Sequence, residues 1–312
     1  MNNLKIIFMG TPIFSVEILK NLIKDYNVIG IVTQPDKKIG RNKTVSYPPV
    51  KDFALKNNIK VFQPIKIKTE FDEILKMNPD IIITCAYGQI IPKEMIDYPK
   101  YGCINVHASL LPKYRGGAPI QRAIMNGEDK TGITIMYMDE TMDTGDMINK
   151  VEVEINTDDT YTTLHDKLKI AGSDLLLDTL PSIFNNTNKS EKQDNTKATY
   201  APIIKKEDEL INFNDLSINV YNKIRGLNNT PLGYIILNNN QYKILESKIG
   251  DEVNIKSSII SNIYKDGIGI STKDKEIIIT KIKPNGKNEM SVKDFLNGYK
   301  NKEELIGCNV NE

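Results

Sequence analysis

Asn105 and His107 stand at the end of a short apolar run, Cys103-Ile104-Asn105-Val106, one of only two places in the chain where a histidine occurs. The run reads as a buried strand, bounded by Tyr101-Gly102 before it and a Pro/Gly-containing loop after it. Side chains alternate along a strand, so an Asn-x-His end presents an amide and an imidazole on one face. In α/β proteins, ligands gather at the carboxyl ends of strands. An amide N–H can stabilise an oxyanion, and an imidazole can move a proton near neutral pH. Acyl transfer needs both. The plainer alternative is an Asn and a His that satisfy backbone groups at a strand end. A second polar cluster, Asp139-Glu-Thr-Met-Asp143-Thr-Gly-Asp146, follows a strand over residues 133–138. Its turn-forming residues are equally compatible with a structural turn.

The residues after His107 favour chemistry. Ser109-Leu-Leu-Pro-Lys-Tyr-Arg-Gly-Gly-Ala-Pro-Ile-Gln121, together with the Asp143 segment, resembles the formyltransferase family that uses 10-formyltetrahydrofolate. The resemblance covers nearly the whole chain and is closest to members that act on methionyl-tRNA. It implies a catalytic trio at Asn105, His107 and Asp143, and a folate site that includes Ser109, Leu110, Leu111 and Pro112. Ala86-Tyr-Gly-Gln-Ile-Ile-Pro92 resembles the pterin-pocket loop, bringing in Tyr87, Gly88, Ile90 and Ile91. Ile90 and Ile91 could flank a flat heterocycle, or both could be ordinary core.

Formyl transfer moves an acyl group between two nitrogens. The attacking amine must lose a proton, the leaving nitrogen must gain one, and the tetrahedral intermediate carries an oxyanion. Asn105 suits the oxyanion and His107 the proton. Asp143 can orient His107 and an intervening water. Neither a covalent intermediate nor a metal is required. Ser109 is not read as a nucleophile, because no second histidine lies near it in the motif. The other histidine, His165, falls within an expected helix and reads as a packing or surface residue.

These groups must be carried by a scaffold. Leu4 to Met9 reads as a first strand, followed by Gly10-Thr11-Pro12 and an amphipathic helix over residues 13–23, with Thr11 as its N-cap. Strands at 28–33, 60–63 and 80–85 alternate with helices at 50–56 and 70–76. This predicts a Rossmann-like, doubly wound α/β domain with a mostly parallel sheet. The first turn lacks Gly-x-Gly-x-x-Gly, which argues against a dinucleotide. A long helix over 160–184 precedes a polar stretch, 185–202, that reads as a linker. From 203 to 312, a helix and five short β-rich runs with Gly/Asn turns predict a small β domain. The resemblance makes it an OB-like, tRNA-binding domain after a catalytic domain at 1–184.

Composition sets outer bounds. The chain has 312 residues, 40% hydrophobic and 26% charged, an ordinary globular mix. A formal net charge of +1 advertises no nucleic-acid partner, although local patches can still bind phosphate. Cys85, Cys103 and Cys308 are an odd set without metal-ligand spacing, and read as reduced thiols. With no signal-peptide pattern and no membrane-length apolar run, the expected location is the cytoplasm.

The acceptor is not chosen by the fold. The loop Gln34–Pro49 carries Lys37, Lys38, Arg41 and Lys43 within seven residues, and could track an acceptor stem through its phosphates. It resembles an insertion of the tRNA-directed members, with Arg41 at the position of a tRNA-contacting arginine. It departs from the usual pattern in having Lys-Lys-Ile. Such a cluster can equally be a solvated loop. Arg225 and the Lys281–Lys287 segment could add basic surface, and Arg115 could meet an anion or hold its loop in an ion pair. The expected partners are initiator methionyl-tRNA and 10-formyltetrahydrofolate as formyl donor, with no metal, no membrane and a monomeric chain. The alternatives are a small amine acceptor (an amino sugar nucleotide or glycinamide ribonucleotide) and a non-catalytic RNA-binding relative.

Overall fold

The computed structural model describes residues 2–39 and 44–311. The chain forms two compact units. One takes in the residues up to Pro119, Lys130–Glu154 and His165–Pro202; the other takes in Ile120–Asp129, Ile155–Leu164 and the residues from Ile203 on.

In chain order the first elements are β1 (Asn2–Gly10), α1 (Ile13–Asp25), β2 (Tyr26–Val32), β3 (Lys37–Ile39), β4 (Thr44–Ser46), α2 (Pro49–Lys56), β5 (Val61–Phe62), α3 (Asp72–Leu75) and β6 (Ile81–Cys85). They are followed by α4 (Lys93–Asp97), β7 (Cys103–His107), α5 (Pro119–Met125), β8 (Lys130–Tyr137), β9 (Met147–Glu154) and α6 (Tyr161–Phe184). The main sheet has the order β5-β2-β1-β6-β7-β8-β9. It is parallel from β5 to β7 and antiparallel across β8 and β9. The chain builds outward from β1 to β5, then returns to β1's other side at β6. The topological switch point, where such folds bind ligands, therefore lies between β1 and β6.

Central parallel strands are covered on both faces, so they read as continuous apolar runs. All five positions of β6 are buried, as are Ile6 to Met9 of β1. The edge strand β9 has the opposite signature. Val151 and Val153 alternate with Lys150, Glu152 and Glu154, a half-exposed strand that the sequence reading passed over.

Two local expectations are corrected. Pro12, not Thr11, occupies the N-cap of α1, and no side chain caps that end. The Thr11 hydroxyl instead donates to the Tyr87 carbonyl at 3.0 Å, a tertiary bond that overrides the local capping preference. The basic stretch expected as a loop contains an antiparallel hairpin, β3–β4, pairing Lys37 with Ser46 and Lys38 with Val45.

The second unit carries α7 (Ser217–Gly226), β10 (Tyr234–Leu237), β11 (Asn240–Glu252), β12 (Ile260–Ile263), β13 (Ile268–Ser271), β14 (Lys275–Pro284), β15 (Met290–Ser291) and α8 (Val292–Asn297). Its antiparallel sheet runs β10-β11-β14-β13-β12, with β15 added beside β14. Register shifts along β11 bend the sheet into a half-barrel around Phe213, Leu227, Ile270 and Ile277. Arg225 is not available to RNA. It is buried, and its guanidinium donates to Asn222 Oδ1 and to the carbonyls of Asn156 and Asp159 at 2.7–3.2 Å. Lys281 pairs with Glu289 and Glu246, while Lys283 and Lys287 remain exposed.

Cys85 and Cys103 are buried free thiols; burial pushes Cys85 up to about 12 and raises Cys103 as well. Both are thereby held as inert thiols. Phe8 is fully buried in the centre of the main sheet. Phe8→Ala should destabilise the first unit by about 3–5 kcal/mol. The measurement is a lower denaturant midpoint for that unit with an unchanged slope.

Candidate active site

The ends of β1, β6 and β7 lie side by side. Gly10 pairs with Cys85, and Thr84 with Asn105. The Thr84 hydroxyl donates to Asn105 Oδ1 at 2.8 Å, its shortest contact. This bond fixes the amide so that Nδ2 points to Asp143, with Nδ2 to Oδ1 at 3.5 Å. Sequence reasoning missed Thr84. The available signal was a lone polar side chain at the end of an apolar strand, in register with Asn105.

His107 is 6% exposed. Its Nε2 lies 3.0 Å from the Tyr114 carbonyl. A carbonyl can only accept, so Nε2 carries the hydrogen. In the neutral ring the lone pair is then on Nδ1, which lies 3.6 Å from Asp143 Oδ1. The same carboxylate oxygen thus faces both strand-borne groups, and the other, Oδ2, accepts from Gly116 N–H at 2.9 Å.

Asp143 reaches this position from a tight turn between β8 and β9. Its backbone is left-handed (φ 55°), a conformation that costs a residue with a Cβ roughly 1–2 kcal/mol. Two glycines allow the close approaches around it. A Cβ on Gly145 would lie 1.9 Å from the Tyr137 carbonyl, and one on Gly116 (φ 123°) would lie 2.7 Å from the Ala201 carbonyl. Upstream, Asp139 accepts from Thr141 and Thr144 and closes the turn. The result is a donor amide, a proton-carrying imidazole and a carboxylate at one strand end, a set suited to acyl transfer.

The expected folate residues are distributed unevenly. Ser109 is buried, with its hydroxyl on Lys113 O at 2.7 Å. Its carbonyl accepts from Thr134 Oγ1, which in turn accepts from Leu111 N–H. Leu111 is in a core cluster with Met136 and Met147, while Leu110 and Pro112 are half-buried. Any contribution from Ser109 and Leu111 would be through the backbone they shape. Ile90 and Ile91 do not act as a pair: Ile91 packs in the core with the Tyr87 ring, and Ile90 is 57% exposed. Gly88 (φ 91°) lets the chain turn between them and β6. The Tyr87 carbonyl receives hydrogen bonds from Thr11 Oγ1 and Gln34 Nε2, both at 3.0 Å.

Lys37 and Lys38 are exposed on β3, where strand alternation turns them to opposite faces. Arg41 and Lys43 lie outside the described residues. The hairpin is rooted by Lys51, whose ammonium meets both oxygens of Asp36 at 2.7–2.8 Å and Gln63 Oε1 at 2.7 Å. The bonds from Lys51 and then Gln63 hold the Asp36 carboxyl below its usual range. Among the described residues, Arg115 is held by neutral amides and not by an ion pair. It is 3% exposed, and its Nε and Nη2 donate to Gln193 Oε1 at 2.9 and 2.7 Å, with Nη2 also on Asn195 Oδ1. His165 is a packing residue against Phe14, with ring centroids 5.3 Å apart, and burial lowers its proton affinity. Among the described residues, no His/Cys/Asp/Glu cluster is placed to hold a metal and no helix is long and apolar enough to cross a membrane.

A family model described as formyl transferase matches residues 4–180, and one described as formyl transferase, C-terminal domain, matches 203–300. The chain is 49% identical over 299 residues to the methionyl-tRNA formyltransferase of Bacillus subtilis, covering 94% of each. It is 44% identical over 310 residues to that of Macrococcus caseolyticus, covering 99% of each. Among solved structures it is similar to a sugar 3N-formyl transferase crystallised in the presence of dTDP and 5-N-formyl-THF, with a TM-score of 0.65 and 25% identity, covering 92% of this chain and 100% of that one.

His107→Ala should leave a folded protein whose turnover is roughly a hundred- to ten-thousand-fold lower, the scale of losing general acid–base help. Circular dichroism checks the fold and single-turnover kinetics the rate. Near-normal turnover would remove His107 from the chemistry. Asn105→Ala should lower the rate at saturation by a comparable factor. A loss confined to substrate affinity would refute an oxyanion role.

Proposed function

The chain belongs to the formyl transferase family, and on that premise we propose that it transfers the formyl group of 10-formyltetrahydrofolate to the free amino group of initiator methionyl-tRNA. The product, N-formylmethionyl-tRNA, is the species used to start translation. The observation that carries this reading is identity near 50% along 94% of the chain with methionyl-tRNA formyltransferases. The enzyme acts as a cytoplasmic monomer.

In the proposed reaction Asn105 Nδ2 donates to the oxygen of the formyl carbonyl as it becomes an oxyanion. His107 Nδ1 is the ring nitrogen free to accept a proton, since Nε2–H is held by Tyr114 O. It takes the proton released by the attacking amine, directly or through a water, and returns one to the departing nitrogen. Asp143 lies beside both groups and balances the imidazolium while it exists. The folate donor is held along Tyr87–Ile91 and Ser109–Pro112, with Ile90 and Leu110 as its apolar contacts and Gly88 and Leu111 contributing main chain. No residue here needs to become covalently attached to the formyl group.

The acceptor is engaged by the basic hairpin and by the unit beyond residue 202. In sequence terms the catalytic domain is 1–184, the connection 185–202 and the OB-like tRNA-binding domain 203–312, although in the fold 185–202 packs with the first unit while 120–129 and 155–164 pack with the second. Lys37 and Lys38, joined by Arg41 and Lys43, contact acceptor-stem phosphates, while the Lys51–Asp36 pair keeps the hairpin's root in place. A sugar 3N-formyl transferase has a similar fold, so the fold does not choose the acceptor, and the basic hairpin is the feature of this chain suited to a phosphate backbone.

Charged initiator tRNA should be formylated, whereas an amino sugar nucleotide and glycinamide ribonucleotide should not. Neutralising Lys37, Lys38, Arg41 and Lys43 together should weaken tRNA binding and flatten its dependence on salt, because fewer phosphate counterions are released. Formyl-folate affinity should stay unchanged. An unaltered salt slope with unaltered tRNA turnover would exclude the hairpin as the tRNA contact.

A further inference from the structure

The polar stretch 185–202 lies against the candidate active site at several points. Thr199 Oγ1 accepts from Tyr114 N–H at 2.9 Å, Thr199 O accepts from Arg115 N–H at 2.9 Å, and Ala201 N–H donates to Arg115 O at 2.7 Å. Residues 199–201 therefore run beside the loop that holds the acceptor of His107, the Tyr114 carbonyl. Gln193 makes the contact to Asp143. Its Nε2 donates to the carbonyls of Asp143 and Gly145, both at 2.8 Å. Its Oε1 receives Nε and Nη2 of Arg115. The amide orientation is unambiguous, because carbonyls only accept and a guanidinium only donates.

From this geometry we propose that Gln193, held by the buried Arg115, is a positioning residue for Asp143: its two donated hydrogen bonds keep the left-handed turn closed so that the carboxylate faces Asn105 and His107. The proposal rests on the reading of Asp143 as catalytic. Asp143 occupies a conformation that residues with a Cβ seldom adopt, so something outside the turn must over-determine it. Gly116 N–H holds the carboxylate itself, and Gln193 is the residue that holds the backbone on both sides of Thr144. Arg115 is 3% exposed and holds Gln193 Oε1 from Nε and Nη2, with Nη2 also on Asn195 Oδ1, so the Gln193 amide is fixed from its oxygen side.

Gln193→Glu separates positioning from stability. The carboxylate keeps the shape and still accepts from Arg115, now as a charged pair, but it cannot donate to Asp143 O or Gly145 O. Gln193→Met removes both sets of bonds. The expected result for Gln193→Glu is a kcat lower by roughly ten- to a hundredfold, the scale of a small misplacement of a reacting group. KM for formyl-folate should match wild type, and the melting temperature should fall less than in Gln193→Met, because the Arg115 bonds are kept. Gln193→Met should lose as much rate and also melt earlier. Rates are taken per folded molecule, by circular dichroism. Wild-type kcat in folded Gln193→Glu, or a loss that appears only in melting temperature, would overturn the proposal. Asp143→Asn, measured alongside, distinguishes the two levels. If it is slow while Gln193→Glu is fast, Gln193 does not position Asp143; if it is as fast as wild type, the catalytic reading of Asp143 itself fails.

Discussion

A single carboxylate joins the parts of this site. Asn105 and His107 come from one strand and point the same way, but nothing in the strand makes them act together. Asp143 Oδ1 lies 3.5 Å from the amide and 3.6 Å from the imidazole, and so faces both. Its side chain is only 15% exposed, so water contributes little to its solvation and protein donors must replace it. Gly116 N–H does this directly. The two glycines, the left-handed turn and the Asp139 knot all serve to bring that carboxylate to a strand end from a separate turn.

The sheet supplies the other half. Parallel strands buried on both faces leave polar groups nowhere to go but the strand ends, and the switch between β1 and β6 is where folds of this kind bind ligands. Thr84 orients Asn105 from the neighbouring strand, and Tyr114 orients His107 from the following loop. Each of these two candidate groups thus has one neighbour that fixes which of its atoms faces the site. This is electrostatic preorganisation at the scale of single hydrogen bonds.

Much of this was legible in the amino-acid order. Period-two alternation placed Asn105 and His107 on one face, and continuous apolar runs identified the central strands. The long motif after His107 identified the family. What escaped depends on partners far away along the chain. Gln193 lies 50 residues from Asp143, and a polar segment reads the same whether its side chains meet water or each other. Thr11 had good capping chemistry, but a bond to Tyr87 O used its hydroxyl instead. Arg225 carried a charge that composition assigns to the surface, yet three acceptors bury it. The hairpin β3–β4 is too short for its alternation to stand out, and Ile91 could not be told from Ile90 without knowing which one the sheet covers.

The stretch 185–202 also bears on how such proteins can be cut and rejoined. A fragment that stops at Phe184, where the last long helix ends, contains Asn105, His107 and Asp143 but neither Gln193 nor Thr199. A cut at Phe184 therefore separates Asp143 from the side chain that holds its turn, whereas a cut after Ala201 keeps the two together. A segment with the composition of a spacer thus belongs to the contact network of the candidate site.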